Sequence, residues 1–347
     1  MLTFTPETLH DAVTRIFLAA GADEENARVV ADHLIDAHLT GYDSHGVMRI
    51  PGYVRFIEQG QLAPAARPRV VRETAAMTLI DAQRTFGQVS ACFATDAVVA
   101  KARAQGVAVA GTIHGNNTGR LGYYPTRAAA QGVALLVAYG QLGGSGAPYG
   151  GRAGALGTNP FSIGFPAAGG TPFVLDFATT AIAGGRVALA RDAHAPLPPG
   201  AAIDRAGRPT TDPAALGQGG ALLPFGGHKG YALSLTALLL SNVLVRAGDE
   251  TDQGGGEGGR GVAKVFFCAF DTRVFGEGAP DAAADVFRHL RSVPPADGFD
   301  RVLIPGDRAA QTASRRRETG IPVAEATWQR VAETAARLGV SLPPGGA

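Results

Sequence analysis

Apolar side chains recur every three or four positions at the start of the chain: Leu9, Val13, Ile16 and Phe17 make one row, and Ala27, Val30, Ala31, Leu34 and Ile35 a second. Each row predicts an amphipathic helix with one buried face. Thr5 and Pro6 supply the cap and first position of the first helix and Gly21 its end, while Asp23 caps the second and Gly41 suits a left-handed terminator. From Met77 the pattern shortens. MTLIDA, GVAVAGTI and GVALLVAYG read as strands, with helical windows over 89–104 and near Thr126 between them. Such alternation predicts an α/β layer around a largely parallel sheet. FSIGFPA and FVLDFATT, after a GTNP turn, are further strands whose pairing sense the sequence leaves open.

Residues 193–220, rich in Pro, Gly, Asp and Ala, read as a long surface connection. PFGGHKGYALSLTALLLSNVL follows as a glycine turn feeding an apolar helix, and then DQGGGEGGRG, a low-complexity stretch expected to be mobile. A strand (VFFCAF), a helix over 281–291, a short strand (RVLIPGD) and a terminal helix around 324–338 complete the reading, with no internal repeat of fixed period.

Composition narrows the function. A chain of 347 residues, 46% hydrophobic and 18% charged, can bury one large or two modest cores. A net charge of +1 from 31 basic and 30 acidic residues leaves no footprint for nucleic acid or an anionic membrane, which favours a small-molecule partner. The longest apolar stretch, 231–245, is broken by Ser234, Ser241 and Asn242 and is too short to span a bilayer. The opening MLTFTPETLH lacks the pattern of a secretory signal, so the cytoplasm is the expected compartment. Cys92 and Cys268 lie in apolar surroundings away from any metal-type spacing and are expected to be packed thiols, with no metal site.

Four segments concentrate chemistry. In GYDSHGVMRIPGYVRF, His45, Arg49 and Tyr53 fall at i, i+4 and i+8, one row if the segment is helical. An imidazole beside a guanidinium suits a 2-oxo acid, the fork gripping the carboxylate while the ring handles the neighbouring proton. The plainer reading is a solvated helix face capped by Asp43 or Ser44. GTIHGNNTGRLGYYP follows a strand, where ligand groups gather, yet it matches neither GxGxxG nor GxxxxGK[ST]. There His114 is either a ligand or a packed strand-end histidine, and Arg120 and Tyr123 are as readily packing residues as ligands. LLPFGGHKGYALSL sets Lys229 in a glycine turn at a helix start, where an ammonium and backbone N–H groups can meet a phosphate. VLDFATT leaves Asp176 at a strand end, either a cap or a close cofactor contact.

Taken in order, DSHGVMRIPGYV, TGRLGYY, APYGG, GTNPFSIGFP, VLDFATT, DRAGRPTTDP, LLPFGGHKGYALSL and IPGDR resemble the malate/L-lactate dehydrogenase family over nearly the whole chain. That family also holds sulfolactate, ureidoglycolate and diketogulonate oxidoreductases and cyclic-imine carboxylate reductases. The resemblance implies a non-Rossmann, sulfolactate-dehydrogenase-like α/β fold in which helices cover a mixed sheet and an N-terminal helical segment leads. It implies NAD or NADP as cofactor, a small carboxylic acid as substrate, and a homodimer with the site near the subunit interface. Residues 1–70 plus 230–347 are expected to form a helical, catalytic and dimerising part, and 71–229 the cofactor-binding part. By motif, His45 is implied as catalytic acid or base with Ser44 beside it, Arg49 as carboxylate ligand, and Tyr53 and Thr158 on the substrate side. Asp176, Phe177 and Ala178, then His228, Lys229 and Gly230, then Gly306, Asp307 and Arg308 are implied as cofactor contacts.

One departure matters most. Many relatives place a histidine where this chain has Asn117, and an amide is no general base at about pH 7; His114 is then the second candidate after His45. Arg186 stands where a lysine is usual, and Ala237 where an acidic residue is common. The sequence therefore supports a 2-oxo or 2-hydroxy acid oxidoreductase first. A reductase of cyclic imino acids is the second reading, and an inert nucleotide- or acid-binding protein the third.

Overall fold

The structure, a computed structural model, describes residues 1–248 and 263–342; the low-complexity stretch DQGGGEGGRG lies outside them. The chain opens with a short strand β1 (Leu2–Phe4), then α1 (Pro6–Ala19) and α2 (Glu24–Leu39), capped by Thr5 and Asp23 as expected. The Thr5 and Asp23 side chains accept the N–H groups of Thr8 and Asn26, which the first helical turn cannot satisfy itself. Two 3₁₀ turns (Asp43–His45 and Val47–Arg49) lead into α3 (Ile50–Glu58), where Pro51 is tolerated because the helix has only just begun.

The next segments build the main sheet: β2 (Arg69–Glu73), β3 (Met77–Asp81), α4 (Gly87–Gln105), β4 (Val107–Gly115), α5 (Tyr123–Ala129) and β5 (Val133–Tyr139). After β6 (Leu142–Gly146) come β7 (Phe161–Phe165) and β8 (Phe173–Phe177), the GTNP-flanked pair, which run antiparallel. Next are α6 (Gly184–Asp192), β9 (Ala202–Ile203), β10 (Pro209–Thr210), β11 (Ala221–Leu222) and α7 (His228–Leu238), which continues as a π-helical turn over Leu239–Val245. The C-terminal part holds β12 (Ala263–Asp271), α8 (Ala279–Arg291), α9 (Asp307–Thr319), β13 (Ile321–Val323) and α10 (Glu325–Arg337).

The seven-stranded sheet runs β2-β3-β4-β12-β5-β7-β8, and only β3 and β4 pair in parallel. The expectation of a largely parallel sheet is therefore corrected. β4 and β5 would have been parallel neighbours, but β12 enters between them and makes both contacts antiparallel. Hydrophobic alternation reports that a segment is a strand, not which distant strand it pairs with. β12, the expected strand VFFCAF, forms the middle of the sheet, with Val265, Phe267 and Ala269 fully buried.

Two further expectations fail. Residues 193–220 are not a bare surface connection: they carry β9 and β10 into a second sheet of order β10-β9-β11-β6, over a small core of Val187, Leu197, Ala202 and Leu222. RVLIPGD forms no strand; Leu303 is exposed and only Ile304 is buried, in a turn whose Ile304 N–H is taken by the Asp307 carboxylate at the start of α9. The two ends of the chain fold together. β1 pairs with β13, and Leu9, Phe17, Leu34, Ile50, Ile321 and Val331 share one core. Cys92 is buried and Cys268 half-buried, both as free thiols, and burial pushes the Cys92 thiol up to about 12. Among the described residues no helix is long and apolar enough to cross a membrane.

Candidate active site

A cavity of about 650 Å³ opens where the turn after α2, the loop after β4, the end of β8 and the start of α6 meet, with the first turn of α9 at its rim. Ser44, His45, Arg120, Asp176, Arg186 and Arg308 line it, together with Tyr42, Thr158, Phe177, Ala178 and the apolar run Pro196–Leu197–Pro198. Of the site residues that the resemblance implied, seven thus line one cavity: Ser44, His45, Thr158, Asp176, Phe177, Ala178 and Arg308.

His45 ends the first 3₁₀ turn, and Arg49 immediately precedes α3, so the pair is not carried on one continuous helix as the spacing suggested. They still stand next to each other. Arg49 Nε donates to the Ser44 carbonyl at 2.7 Å, which holds the guanidinium against the turn that carries His45. The start of α6 lies across both residues: a Cβ on Gly185 would come within 2.7 Å of the Ser44 Cβ and 3.6 Å of the Arg49 fork, so only glycine allows this approach. Arg49 itself stands one layer behind the lining. The Ser44 hydroxyl lies 3.1 Å from His45 Nδ1 and can take its hydrogen, which leaves Nε2 with a free lone pair. Burial above all, then the positive charge of Arg49 and the interactions with His33 and Arg120, lowers the His45 imidazole to about 3. It is a neutral, weakly basic ring at physiological pH.

Arg120 is the residue the sequence undervalued. Its side chain is 4% exposed and donates to Asp36 through Nε and Nη2, at 3.2 and 2.9 Å, with Asp176 3.6 Å from Nη1. The guanidinium also stacks 5.0 Å over the Tyr42 ring. Burial raises the Asp176 carboxyl above the usual carboxylate range, against the pull of Arg120 and of the Gly122 N–H, which it accepts at 2.9 Å. Asp36, the partner that keeps Arg120 buried, sits on a helix far upstream, so no local pattern announced it. Tyr123 packs on His33 instead, ring centroids 5.0 Å apart.

Other singled-out residues lie off the cavity wall. Tyr53 is buried, donates to Asn117 Oδ1 at 3.3 Å and accepts from Gln88 at 2.8 Å; Asn117 Oδ1 also accepts the Gly119 N–H at 3.0 Å. These two side chains hold the TGRLG loop against α3. His114 pairs with Asp81 at 3.0 Å, in a left-handed backbone conformation with φ of 51°. His228 and Lys229 are exposed at the start of α7, on a segment that lies along β8 through the Phe225 N–H to the Thr179 carbonyl. Asp307 is committed to Arg291 at 2.7 Å, while Gly306 takes a φ of 109° against the Pro172 carbonyl and so delivers Arg308 to the rim.

The family model for malate/L-lactate dehydrogenase matches residues 4–332. The chain belongs to this family. Among the family's characterised members, hydroxycarboxylate dehydrogenase B of Escherichia coli O157:H7 is 36% identical over 345 residues, covering 97% of this chain and 94% of that protein. Delta(1)-pyrroline-2-carboxylate reductase of Ancylobacter novellus is 36% identical over 320 residues, covering 90% and 91%. The solved sulfolactate dehydrogenase from Methanocaldococcus jannaschii matches the fold with a TM-score of 0.86 at 32% identity, over 99% of this chain and 98% of that one. A member of the malate/L-lactate dehydrogenase family is an oxidoreductase, and the reading as an inert binding protein is set aside. The expected mixed α/β, sulfolactate-dehydrogenase-like fold stands.

A dehydrogenase family implies a nicotinamide cofactor, and the cavity fits one. Arg186 and Arg308 both line it, and neither forms an ion pair with any described residue, so the site carries unmatched positive charge of the kind that takes phosphates. Small and apolar neighbours, Ala178, Ala181, Ala183 and Ala190, leave room for flat rings.

Proposed function

We propose that the protein transfers hydride between NAD or NADP and a small 2-hydroxy or 2-oxo carboxylic acid. In this reading the cofactor lies along Asp176–Ala178 and Arg308, the acid's carboxylate is gripped by the Arg49 fork, and His45 exchanges the proton on the C2 oxygen. Thr158 borders the acid. The observation that carries the reading is the neutral His45 ring lining one cavity with the end of β8, beside the Arg49 guanidinium that bonds the neighbouring Ser44 carbonyl. Arg186 and Arg308 match the charge of cofactor phosphates or of a second acidic group on the substrate.

A cyclic imino acid is the second substrate reading, and the low basicity of His45 favours it. A ring of such low basicity is a weak acceptor for alcohol oxidation and is too rarely protonated to donate in carbonyl reduction, whereas an imine protonated in solution needs no donor. Initial rates with NAD, NADP and their reduced forms against lactate, malate, sulfolactate, pyruvate, Δ1-pyrroline-2-carboxylate and Δ1-piperideine-2-carboxylate decide between these. Turnover of the acids supports the first reading and turnover of the imines alone the second; no turnover of either contradicts both.

We further propose a homodimer. The support is an uncharged face along α7 and its π-helical continuation, where Leu233, Leu239, Val243 and Leu244 are 37%, 56%, 54% and 59% exposed, in a run with no charged side chain from Gly230 to Val245.

A further inference from the structure

The candidate proton acceptor His45 sits on a short arch, and one buried imidazole holds both ends of that arch. His38, at the end of α2, is 2% exposed. Its Nε2 accepts the Val47 N–H at 3.0 Å, so that nitrogen carries no hydrogen; Nδ1 must carry it, and it donates to Asp43 Oδ1 at 2.8 Å. Ser44, His45 and Gly46 are strung between these two fixed points. Gly46 lies directly on the ring, since a Cβ there would fall 2.2 Å from His38 Nε2. Arg316 closes the arrangement from α9: its Nη1 and Nη2 meet the two Asp43 oxygens at 2.6 and 3.2 Å, and Nη1 also donates to the His38 carbonyl. The hydrogen bonds from His38 and Arg316 outweigh the burial that pushes the Asp43 carboxyl up, and lower it to about 2, so it stays ionised.

This clamp joins two parts of the cavity. Arg308, in the first turn of α9, lines the cavity, and Arg316, in the last turn of the same helix, grips the arch that carries Ser44 and His45. We propose that His38 and Arg316 are positioning residues that set where the His45 ring stands in the cavity, with α9 as the rigid link between the cofactor end and the proton-accepting end. The inference rests on the reading of His45 given under Proposed function. Neither residue touches the reacting atoms. Their effect passes through the Asp43–Val47 backbone, where a displacement of about 1 Å can cost on the order of 10²-fold in rate.

The test compares Arg316→Ala, Arg316→Lys, His38→Leu and His38→Gln with the unmodified protein. It reads kcat, KM for the acid or imine, Kd for reduced cofactor by fluorescence, and the histidine ring signals by ¹⁵N NMR. An amide can donate at one atom and accept at another, as the neutral imidazole does, so His38→Gln should keep most of the activity. His38→Leu and Arg316→Ala should lose about 10- to 100-fold in kcat with cofactor Kd nearly unchanged. Guanidinium ion should restore part of the rate of Arg316→Ala, and the His45 signals should move in that variant. If Arg316→Ala does not fold, Arg316→Lys, which keeps the charge but not the fork, must show the kcat loss. Unchanged kcat in the folded Arg316 and His38→Leu variants, equal losses in His38→Leu and His38→Gln, or His45 signals unmoved in a folded Arg316 variant would each overturn the proposal. If the unmodified protein turns over no acid or imine, the substrate reading fails, while the ring spectra still decide whether His38 and Arg316 place His45.

Discussion

At the residue scale the proposed function turns on His45. A ring lowered to about 3, by burial first and then by its neighbours, the positive Arg49 and Arg120 among them, stays neutral across the physiological range. His45→Ala should therefore reduce kcat roughly 10²- to 10⁴-fold and leave cofactor Kd nearly intact. Arg49→Lys should act mainly on KM for the acid, because a point charge replaces the fork. Steady-state kinetics paired with cofactor titration checks both. An Arg49→Lys variant with native KM would remove the carboxylate role. Ser44, His45, Asp176 and Arg308, which line one cavity, were noticeable in the sequence because each sits in a short motif that resembles the family's. Arg120 was not, since what buries it is a carboxylate on another helix. Tyr53 and Asn117 carry reactive-looking groups, yet they spend them on each other, which a linear pattern cannot show.

At the scale of elements, the helix signals were readable where they are local: Thr5, Pro6 and Asp23 cap α1 and α2 as expected. The place of β12 was not, because strand order depends on long-range pairing. α9 escaped notice because only Asp307 and Ala313 of its residues are buried, leaving no apolar stripe to read. Yet α9 bears both Arg308 and Arg316. The packing of α2 on the TGRLG loop also has a pH signature. His33 donates to the Arg120 carbonyl at 3.1 Å, and burial lowers it from 6.5 to about 4. Below about pH 6.5 the unfolded chain takes up a proton that the native ring refuses, so stability should fall as the pH drops toward 4 and stay level above 6.5 on this account. His45 adds in the same direction. Thermal melts across this range should show the decline in the unmodified protein and a shallower one in His33→Gln, whose amide can still donate to that carbonyl. An equal slope in both would assign the acid sensitivity elsewhere.

For the molecule as a whole, two surfaces carry the account: the cavity, and the uncharged face along α7. The face predicts association. Sedimentation equilibrium should give twice the chain mass, and Leu244→Glu, which buries a charge if that face is covered, should shift the equilibrium to monomer. A monomeric unmodified protein would remove the dimer proposal. The cavity predicts where two ligands meet. Its most direct test is a crystal structure with reduced cofactor and oxamate, an unreactive likeness of a 2-oxo acid. The account predicts the oxamate carboxylate in the Arg49 fork, the neighbouring carbonyl oxygen at about 2.6–3.2 Å from His45, and the nicotinamide beside the end of β8. A nicotinamide bound away from Asp176–Ala178, or an acid that leaves Arg49 and His45 untouched, would contradict it.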